Sequence, residues 1–317
     1  MNGVTMKKVA VMGARGFVGR NLTAYLGERY EVRPITRKDF DLLDAHAVED
    51  FLKKEKPDVI INCTNQGGSR KTEAAGERPD VIGNNLKMFF AQERCLDAGM
   101  RMINFGSGAQ YNKSRDLCKV REEEFGRFIP SDDYGYSKYV MEQYISQRNR
   151  ATLAGEIYNP VIFGLYGAHE DYTFKFISNA ILKNMLEMPI TINQNVVFDY
   201  LYIDDFLRII EHIIENDCTY KEFNITPTES IDLVRIAELI NSCGRYQSEI
   251  IVKNPGMNYQ YTGDNSRLLA NMGTDYRFTS YQEGIERLYQ YYEANKSQLD
   301  LEVIRQDALM KLCKTRK

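Results

Sequence analysis

Over its first half the 317-residue chain alternates short runs that are mainly apolar, the second interrupted by Glu31 and Arg33, with longer stretches of helical periodicity. The apolar runs are 8–12, 31–35, 59–62 and 101–105; between them, 17–28, 45–55 and 85–98 carry apolar residues three and four positions apart. Strands that are apolar on both faces must be covered on both faces, and helical segments of ten or more residues are long enough to cross between parallel neighbours. The pattern predicts an α/β fold built on a doubly wound parallel sheet. Lys56-Pro57 ends the second helical stretch, because proline cannot continue it.

The second half is less regular. Helices are predicted over 173–187, 204–216, 232–243 and 281–295, with short strands such as 250–252 between them. The expected division is a main lobe of residues 1–165, to which 196–225 returns, and a smaller C-terminal substrate-binding lobe of 166–195 and 226–300. Residues 301–317 read as a helical tail. With no repeat and no long Pro/Gly linker, the lobes are expected to lie in close contact.

Composition narrows the partners. Hydrophobic residues at 43% and charged residues at 27% exclude a disordered or fibrous chain. Lys plus Arg number 41 against 44 Asp plus Glu, so nothing in the charge points to nucleic acid or an anionic membrane. A small-molecule substrate is the expected partner. Cys63, Cys95, Cys118, Cys218, Cys243 and Cys313 form no C-x-x-C pair, and His46, His169 and His212 are the histidines, so no metal site is expected. Dispersed thiols, no secretory leader pattern and no apolar run of about 20 residues make the cytoplasm the expected location.

Gly13-Ala14-Arg15-Gly16-Phe17-Val18-Gly19 lies between the first predicted strand and the first predicted helix. In that setting the spacing reads as a loop for dinucleotide phosphates. Gly13 allows the tight turn, Gly16 lets backbone approach a pyrophosphate, and Gly19 lets helix and strand pack closely. Phe17 and Val18 stand at the helix N-terminus, whose free N–H groups attract anions. Sheets that bind NAD place a carboxylate about 20 residues beyond the loop. Here that count reaches Thr36, between Ile35 and Arg37, and finds none. Arg37 and Arg15 are instead suited to a 2′-phosphate, so NADP(H) is expected in preference to NAD(H).

Tyr134-Gly135-Tyr136-Ser137-Lys138 opens a predicted helix running to about Arg148. Tyr134 and Lys138 are four apart and share one helix face. An ammonium beside a phenol is expected to lower its pKa and fit it for proton transfer to or from a carbonyl oxygen. Ser107, in Phe105-Gly106-Ser107-Gly108-Ala109-Gln110-Tyr111 just after a strand, is placed to share that oxygen. Tyr136 and Tyr139 read as packing or surface residues. His169 reads as a surface histidine near the cleft mouth, Glu122-Glu123-Glu124 as a solvated run, and Tyr289, Tyr291 and Tyr292 as packing residues of a late helix.

Taken together, these motifs resemble the extended short-chain dehydrogenase/reductase family, the NAD(P)-dependent sugar-nucleotide epimerases, dehydratases and reductases. The glycine loop, Asp41-Leu42, Asn85-Leu86, Ser107 to Tyr111 and Tyr134-Gly135-x-Ser137-Lys138 carry the likeness. So do Phe163-Gly164-Leu165-Tyr166-Gly167, Asp199 to Asp205 and Tyr281-Gln282-Glu283-Gly284-Ile285, which extend it to about residue 295. The resemblance implies a Rossmann-type lobe and a substrate lobe. It assigns Tyr134 as acid/base, Lys138 to the cofactor ribose, Ser107 to the reacting oxygen, Asp41 and Leu42 to the adenine and Asn85 to the cofactor. It also implies a homodimer formed through helices 85–98 and 134–148.

Departures from the family pattern narrow the reaction. Dehydratases carry an Asp-Glu pair after the serine or threonine, where this chain has Gly108 and Ala109. The GDP-fucose synthases, which Arg15 and Arg37 resemble, use a cysteine and a histidine where Ala109 and Lys175 stand here. Dehydration and double epimerisation are both disfavoured. What remains is hydride transfer at a sugar carbonyl. The reading is reduction of a keto group on an activated sugar, with a 4-keto-6-deoxy sugar nucleotide as substrate; the alternatives are C4 epimerisation on a tightly held cofactor and a non-catalytic dinucleotide-binding regulator. Relatives clamp the diphosphate with arginines where this chain has Phe198 and Asn254. Either Lys253, Arg267, Lys175, Arg70 or Lys71 replaces them, or the ligand lacks that handle. Lys175, Asn179, Phe198 and Lys253 are the candidate substrate residues.

Overall fold

Period-two alternation sorts the side chains of the central strands into two separate cores. Val9, Val11, Val59, Ile61, Ile103 and Tyr158 enter one, while Ala10, Met12, Ile60, Met102 and Ile157 enter the other. This is the arrangement a strand covered on both faces requires. The computed structural model describes residues 6–67, 80–151 and 153–316. Its strands are β1 (Lys8–Met12), β2 (Glu31–Ile35), β3 (Val59–Asn62), β4 (Arg101–Asn104), β5 (Gly106–Ser107), β6 (Leu117–Val120), β7 (Glu156–Ile162) and β8 (Gly164–Tyr166). They continue with β9 (Ile190–Asn195), β10 (Val197–Phe198), β11 (Tyr200–Tyr202), β12 (Glu222–Ile225), β13 (Ile231–Asp232), β14 (Ile250–Met257) and β15 (Tyr261–Gly263). The longer helices are α1 (Phe17–Leu26), α2 (Ala45–Glu55), α3 (Val81–Glu93), α4 (Asp133–Arg150), α5 (Phe176–Met185), α6 (Ile203–Glu215), α7 (Leu233–Cys243), α8 (Ser266–Met272) and α9 (Tyr281–Asn295).

The large sheet runs β2-β1-β3-β4-β7-β12, with β5 also on β7, and every pairing in it is parallel. Because β1 lies between β2 and β3, the chain reverses its direction of growth there. A crevice opens at such a switch point, outside the carboxyl ends of the strands. Helices α2, α3 and α4 cover one face through Val48, Leu52, Met88, Phe89, Met141 and Ile145; α1 and α6 cover the other through Leu22, Leu26, Phe206, Ile209 and Ile213. The expectation of a doubly wound parallel α/β sheet holds. Asp41 and Leu42 lie in the connection from β2 to α2: Leu42 is buried and Asp41 turns back to accept from the Leu43 N–H at 3.0 Å.

Smaller sheets stand beyond the carboxyl edge. In β13-β10-β15-β6, strand β6 comes from the segment just after Ser107 and β15 from far along the chain. β14 pairs with β9, and β11 with β8. The tail forms two short helical turns, Glu302–Arg305 and Ala308–Lys311. No helix among the described residues is long and apolar enough to cross a membrane.

A buried ladder of amides links three neighbouring strands to α4. Asn62 donates to Asn104 (2.8 Å), Asn104 to Asn159 (2.7 Å), and Asn159 to the carboxyl of Glu142. Burial, followed by the nearby Glu222, pushes the Glu142 pKa up to about 8. A carboxyl whose pKa is raised on folding takes up protons as the chain folds. Its contribution to stability therefore falls as pH rises from about 4.5 to about 8. Glu142→Gln keeps an acceptor for Asn159 and removes the ionisation. Its melting temperature is expected to match the wild type near pH 5 and to exceed it by several degrees at pH 8, a gain on the order of 1–3 kcal/mol. A constant difference across that range, measured by thermal denaturation, would rule the account out.

Candidate active site

At the N-termini of α2, α3, α4, α7 and α9, the side chains of Asp44, Asp80, Asp132, Asp232 and Ser280 accept from first-turn N–H groups. Helices α1, α5 and α8 have neither a side-chain cap nor an acidic residue in the first turn, and of these α1, whose N-cap is Gly16, follows directly on the turn after β1. The first-turn N–H groups and partial positive charge of α1 are left to face the crevice beside β1, which suits a phosphate. Gly13 has φ +83°, and a Cβ on it would lie 3.0 Å from the Cys63 carbonyl oxygen. A Cβ on Gly19 would lie 2.5 Å from the Gly13 oxygen, whereas on Gly16 the nearest atom is 3.6 Å away. Two of the glycines are required by packing, and the third keeps one side open to a ligand.

Arg15 and Arg37 are both exposed and carry no ion pair among the described residues. A carboxylate does reach the end of β2, although not where the residue count looked for one. Asp39 folds back and accepts from the Thr36 N–H and hydroxyl, both at 2.8 Å. Those bonds hold its pKa below the usual carboxylate range.

Ser107 ends β5 as the N-cap of a 3₁₀ turn, Gly108–Tyr111, and its hydroxyl accepts from the Ala109 N–H at 3.3 Å. Helix α4 starts against that turn. Asp132 caps it through the Gly135 N–H at 3.0 Å, and a Cβ on Gly135 would lie 2.8 Å from the Ala109 oxygen. Glycine at 135 therefore lets the first turn of α4 close on Ser107, and the Tyr134 hydroxyl hydrogen-bonds the serine side chain. Lys138, one turn on, is buried; its Nζ donates to the Phe105 carbonyl at 2.8 Å and lies 5.9 Å from the centre of the Tyr134 ring.

The electrostatics correct one expectation. The phenol of Tyr134 is raised, not lowered: burial pushes it up, the Ser107 hydrogen bond offsets this in part, and Asp132 adds to it. Lys138 does not counter the shift. Its ammonium is turned to a backbone carbonyl, and burial pulls its own pKa down to about 8. At neutral pH the site holds a protonated phenol, the form that donates a proton.

A model of the NAD dependent epimerase/dehydratase family matches residues 9–226. The chain belongs to that family. A GDP-6-deoxy-D-talose 4-dehydrogenase from Aggregatibacter actinomycetemcomitans is 26% identical over 300 residues, covering 89% of this chain and 97% of that protein. Among solved structures, a GDP-L-fucose synthetase from Naegleria fowleri superposes with a TM-score of 0.78 at 14% identity, covering 94% of this chain and 95% of that one. The GDP-mannoheptose C4 reductase MlghC from Campylobacter jejuni gives 0.75 at 16% identity, covering 91% and 99%. Membership of the epimerase/dehydratase family agrees with the expected enzyme class, NAD(P) dependence and Rossmann-type fold.

Beyond the family motifs, the structure redistributes several of the candidates. Asn85 is buried and spends both amide hydrogens, on the Gln66 carbonyl (3.0 Å) and the Ser137 hydroxyl (3.1 Å); it braces α4 against the loop after β3. Glu122 is not solvated: it accepts from the Asn224 N–H at 2.7 Å and faces Arg267 at 3.6 Å, docking its turn on β12. His169 meets the Tyr291 hydroxyl at 3.1 Å and Arg20 at 3.5 Å. Asn179 is buried and donates to the Tyr172 carbonyl at 3.3 Å, while Lys175 and Lys253 are exposed. No contact among the described residues joins those three to Ser107 or Tyr134. Phe198 does come near, its ring 5.9 Å from that of Tyr261. Arg70 and Lys71 lie outside the described residues.

Tyr261 went unseen in the sequence. Its hydroxyl lies 2.7 Å from where a Cβ on Gly108 would be, and it hydrogen-bonds Ser107 and the Ala109 backbone beside Tyr134. Two phenols therefore converge on one serine from elements 127 residues apart in the chain (261 − 134). One of 21 tyrosines in an irregular segment carries no local signal.

Proposed function

We propose that this protein is a cytoplasmic, NADPH-dependent reductase of a keto group on an activated sugar, with a 4-keto-6-deoxy sugar nucleotide as substrate. The observation that carries the reading is the protonated Tyr134 phenol held on Ser107, with no carboxylate at Gly108 or Ala109 to remove a second proton. The named activities of the talose 4-dehydrogenase and of MlghC both concern position 4 of a GDP-sugar, which supports a 4-keto substrate. When bound, the nicotinamide supplies the hydride that reduces the carbonyl carbon. Ser107 binds the carbonyl oxygen and Tyr134 gives it the proton that completes the alcohol. Lys138, with two N–H hydrogens beyond its bond to Phe105, would hold the cofactor ribose, and the phenolate left on Tyr134 regains its proton from water. Gly13, Gly16, Gly19, Phe17 and Val18 cradle the pyrophosphate, Arg15 and Arg37 take the 2′-phosphate, and Asp41 and Leu42 flank the adenine.

We assign residues 1–165 with 196–225 to the cofactor lobe and 166–195 with 226–300 to the substrate lobe. The protein is proposed to be a homodimer through α3 and α4, whose Phe90 and Tyr144 stand edge to face at 4.9 Å.

The test is NADPH absorbance with a panel of 4-keto sugar nucleotides, together with cofactor affinities. Stoichiometric loss of NADPH and an affinity for NADPH at least tenfold above that for NADH are expected. Arg37→Ser is expected to remove most of that preference and leave NADH binding as it was. An epimerised product with no net NADPH consumed would replace reduction by epimerisation. No turnover of any member of the panel would reject the substrate class, and NADH bound as tightly as NADPH would reject the cofactor.

A further inference from the structure

Resting on the reductase reading above, we propose that Tyr261 is a positioning residue of this site: its hydroxyl gives Ser107 an internal hydrogen bond and so turns the serine's own hydrogen to the carbonyl oxygen that is reduced. The strand that carries it is pinned on both sides. Towards β6, the Leu117 N–H donates to the Gln260 carbonyl at 2.8 Å and the Thr262 hydroxyl donates to the Leu117 carbonyl at 3.0 Å. Towards β10, the Asp199 N–H donates to the Tyr261 carbonyl at 3.3 Å, and the Gly263 N–H donates to the buried Asp199 carboxylate at 2.9 Å. Alternate residues of a strand share a face, so Tyr261 and Gly263 point the same way. Phe163 fits between two glycines there: a Cβ would lie 2.8 Å from its ring on Gly108 and 2.6 Å from it on Gly263. The Tyr261 ring stands 5.2 Å from that of Phe163 and 5.9 Å from that of Phe198, centre to centre.

Phenylalanine would serve that packing equally well. A buried hydroxyl is costly unless it is paired, and this one is paired at the reacting end of the site: it accepts from the Ala109 N–H and hydrogen-bonds the Ser107 side chain. It also takes the room a side chain at position 108 would need, 2.7 Å from where a Cβ on Gly108 would be.

A count of hydrogens sets the direction of these bonds. The Ser107 oxygen has two lone pairs and one hydrogen. The Ala109 N–H takes one lone pair, at 3.3 Å. The Tyr261 oxygen already accepts from Ala109, so it meets Ser107 with a hydrogen to give, and that fills the second lone pair. Ser107 is then left with a hydrogen only, and its contact with Tyr134 runs from serine to phenol. That is the sense in which Ser107 offsets the raised pKa of Tyr134. With a carbonyl oxygen between the two, the serine hydrogen goes to that oxygen. Tyr134 finds no lone pair on the serine and keeps its hydrogen for the same oxygen. Without the Tyr261 hydroxyl, the open lone pair on Ser107 accepts from Tyr134 and draws the proton donor away from the substrate.

The experiment follows NADPH absorbance with 4-keto sugar nucleotides for the full chain as wild type, Tyr261→Phe, Ser107→Ala and the double variant. Tyr261→Phe deletes one oxygen and keeps the ring. Its kcat is expected to fall about tenfold or more, with KM for the sugar nucleotide and NADPH affinity within about threefold and the melting temperature nearly unchanged. In the Ser107→Ala background the same substitution is expected to change kcat by less than about twofold, because a residue that acts through the serine has nothing left to act on. Wild-type kcat in Tyr261→Phe would overturn the assignment. So would an undiminished loss in the Ser107→Ala background, which would put Tyr261 on the substrate directly. A joint fall of NADPH affinity and melting temperature would make the residue structural and overturn it as well. Wild-type protein that binds NADPH but turns over no member of the panel would remove the reductase reading itself, and this assignment with it.

Discussion

Tyr134→Phe is expected to lower kcat by roughly 10²–10⁴-fold, the range for loss of a positioned general acid, with the protein still folded and still binding NADPH. The variant deletes one oxygen whose partner in the structure is the Ser107 side chain. The ring stays, so packing at the start of α4 is kept and the melting temperature should move little. The pH dependence carries the same argument. Burial raises the Tyr134 pKa, so the donor stays protonated through neutral pH and sets no acid limb in the reductive direction. Lys138 has its pKa lowered to about 8 by burial, so its ammonium is lost as pH rises through that value. Reductive kcat/KM is expected to be level below pH 7 and to fall above about 8, with Lys138→Arg moving the fall upward because a guanidinium does not deprotonate. Unchanged turnover in Tyr134→Phe, measured by NADPH absorbance, would take the acid/base role away from this residue.

The second large effect separates two glycines of one loop. Gly19→Ala would place a Cβ 2.5 Å from the Gly13 oxygen and 2.8 Å from the Ala14 Cα, both backbone atoms that cannot move aside cheaply. Strand β1 and helix α1 would have to separate, so the melting temperature is expected to fall by several degrees and NADPH affinity by about 100-fold or more. Gly16→Ala meets only the Gly13 oxygen at 3.6 Å, an ordinary contact, and φ there is −70°. It is expected to fold with wild-type stability and yet lose NADPH affinity at least tenfold, because its Cβ would stand where the pyrophosphate approaches. Thermal denaturation and cofactor titration read the two quantities separately. If Gly16→Ala binds NADPH normally, the phosphates do not lie on that side of the loop.

The local features of the cofactor lobe were legible because each is written in a short window. Strands 8–12, 31–35 and 59–62 and helix 45–55 follow from apolar runs, periodicity and the Lys56-Pro57 stop, and the structure has them at those bounds. The glycine spacing and the four-residue step from Tyr134 to Lys138 are likewise local. Where the reading failed, the deciding partner was distant. Lys138 was expected to act on the phenol four residues away, but it turns to Phe105, 33 positions back. The acidic run at Glu122 was expected to be solvated, but it meets Asn224 and Arg267. A charge pattern does not say which surface will close over it, and burial then sets the sign of the pKa shift.

By itself the sequence determined the alternation that makes a parallel sheet, the glycines that let β1 and α1 pack closely, and the step that puts Tyr134 and Lys138 on one helix face. All of these depend on bonded geometry and on contacts within a turn or two. Only the tertiary structure decided that Tyr261 faces Ser107, that Tyr134 is held protonated, and that Arg316 reaches Asp116 from 200 residues away. Those depend on which distant segments exclude water from one another, and desolvation is a property of the closed cleft, not of any stretch of chain that lines it.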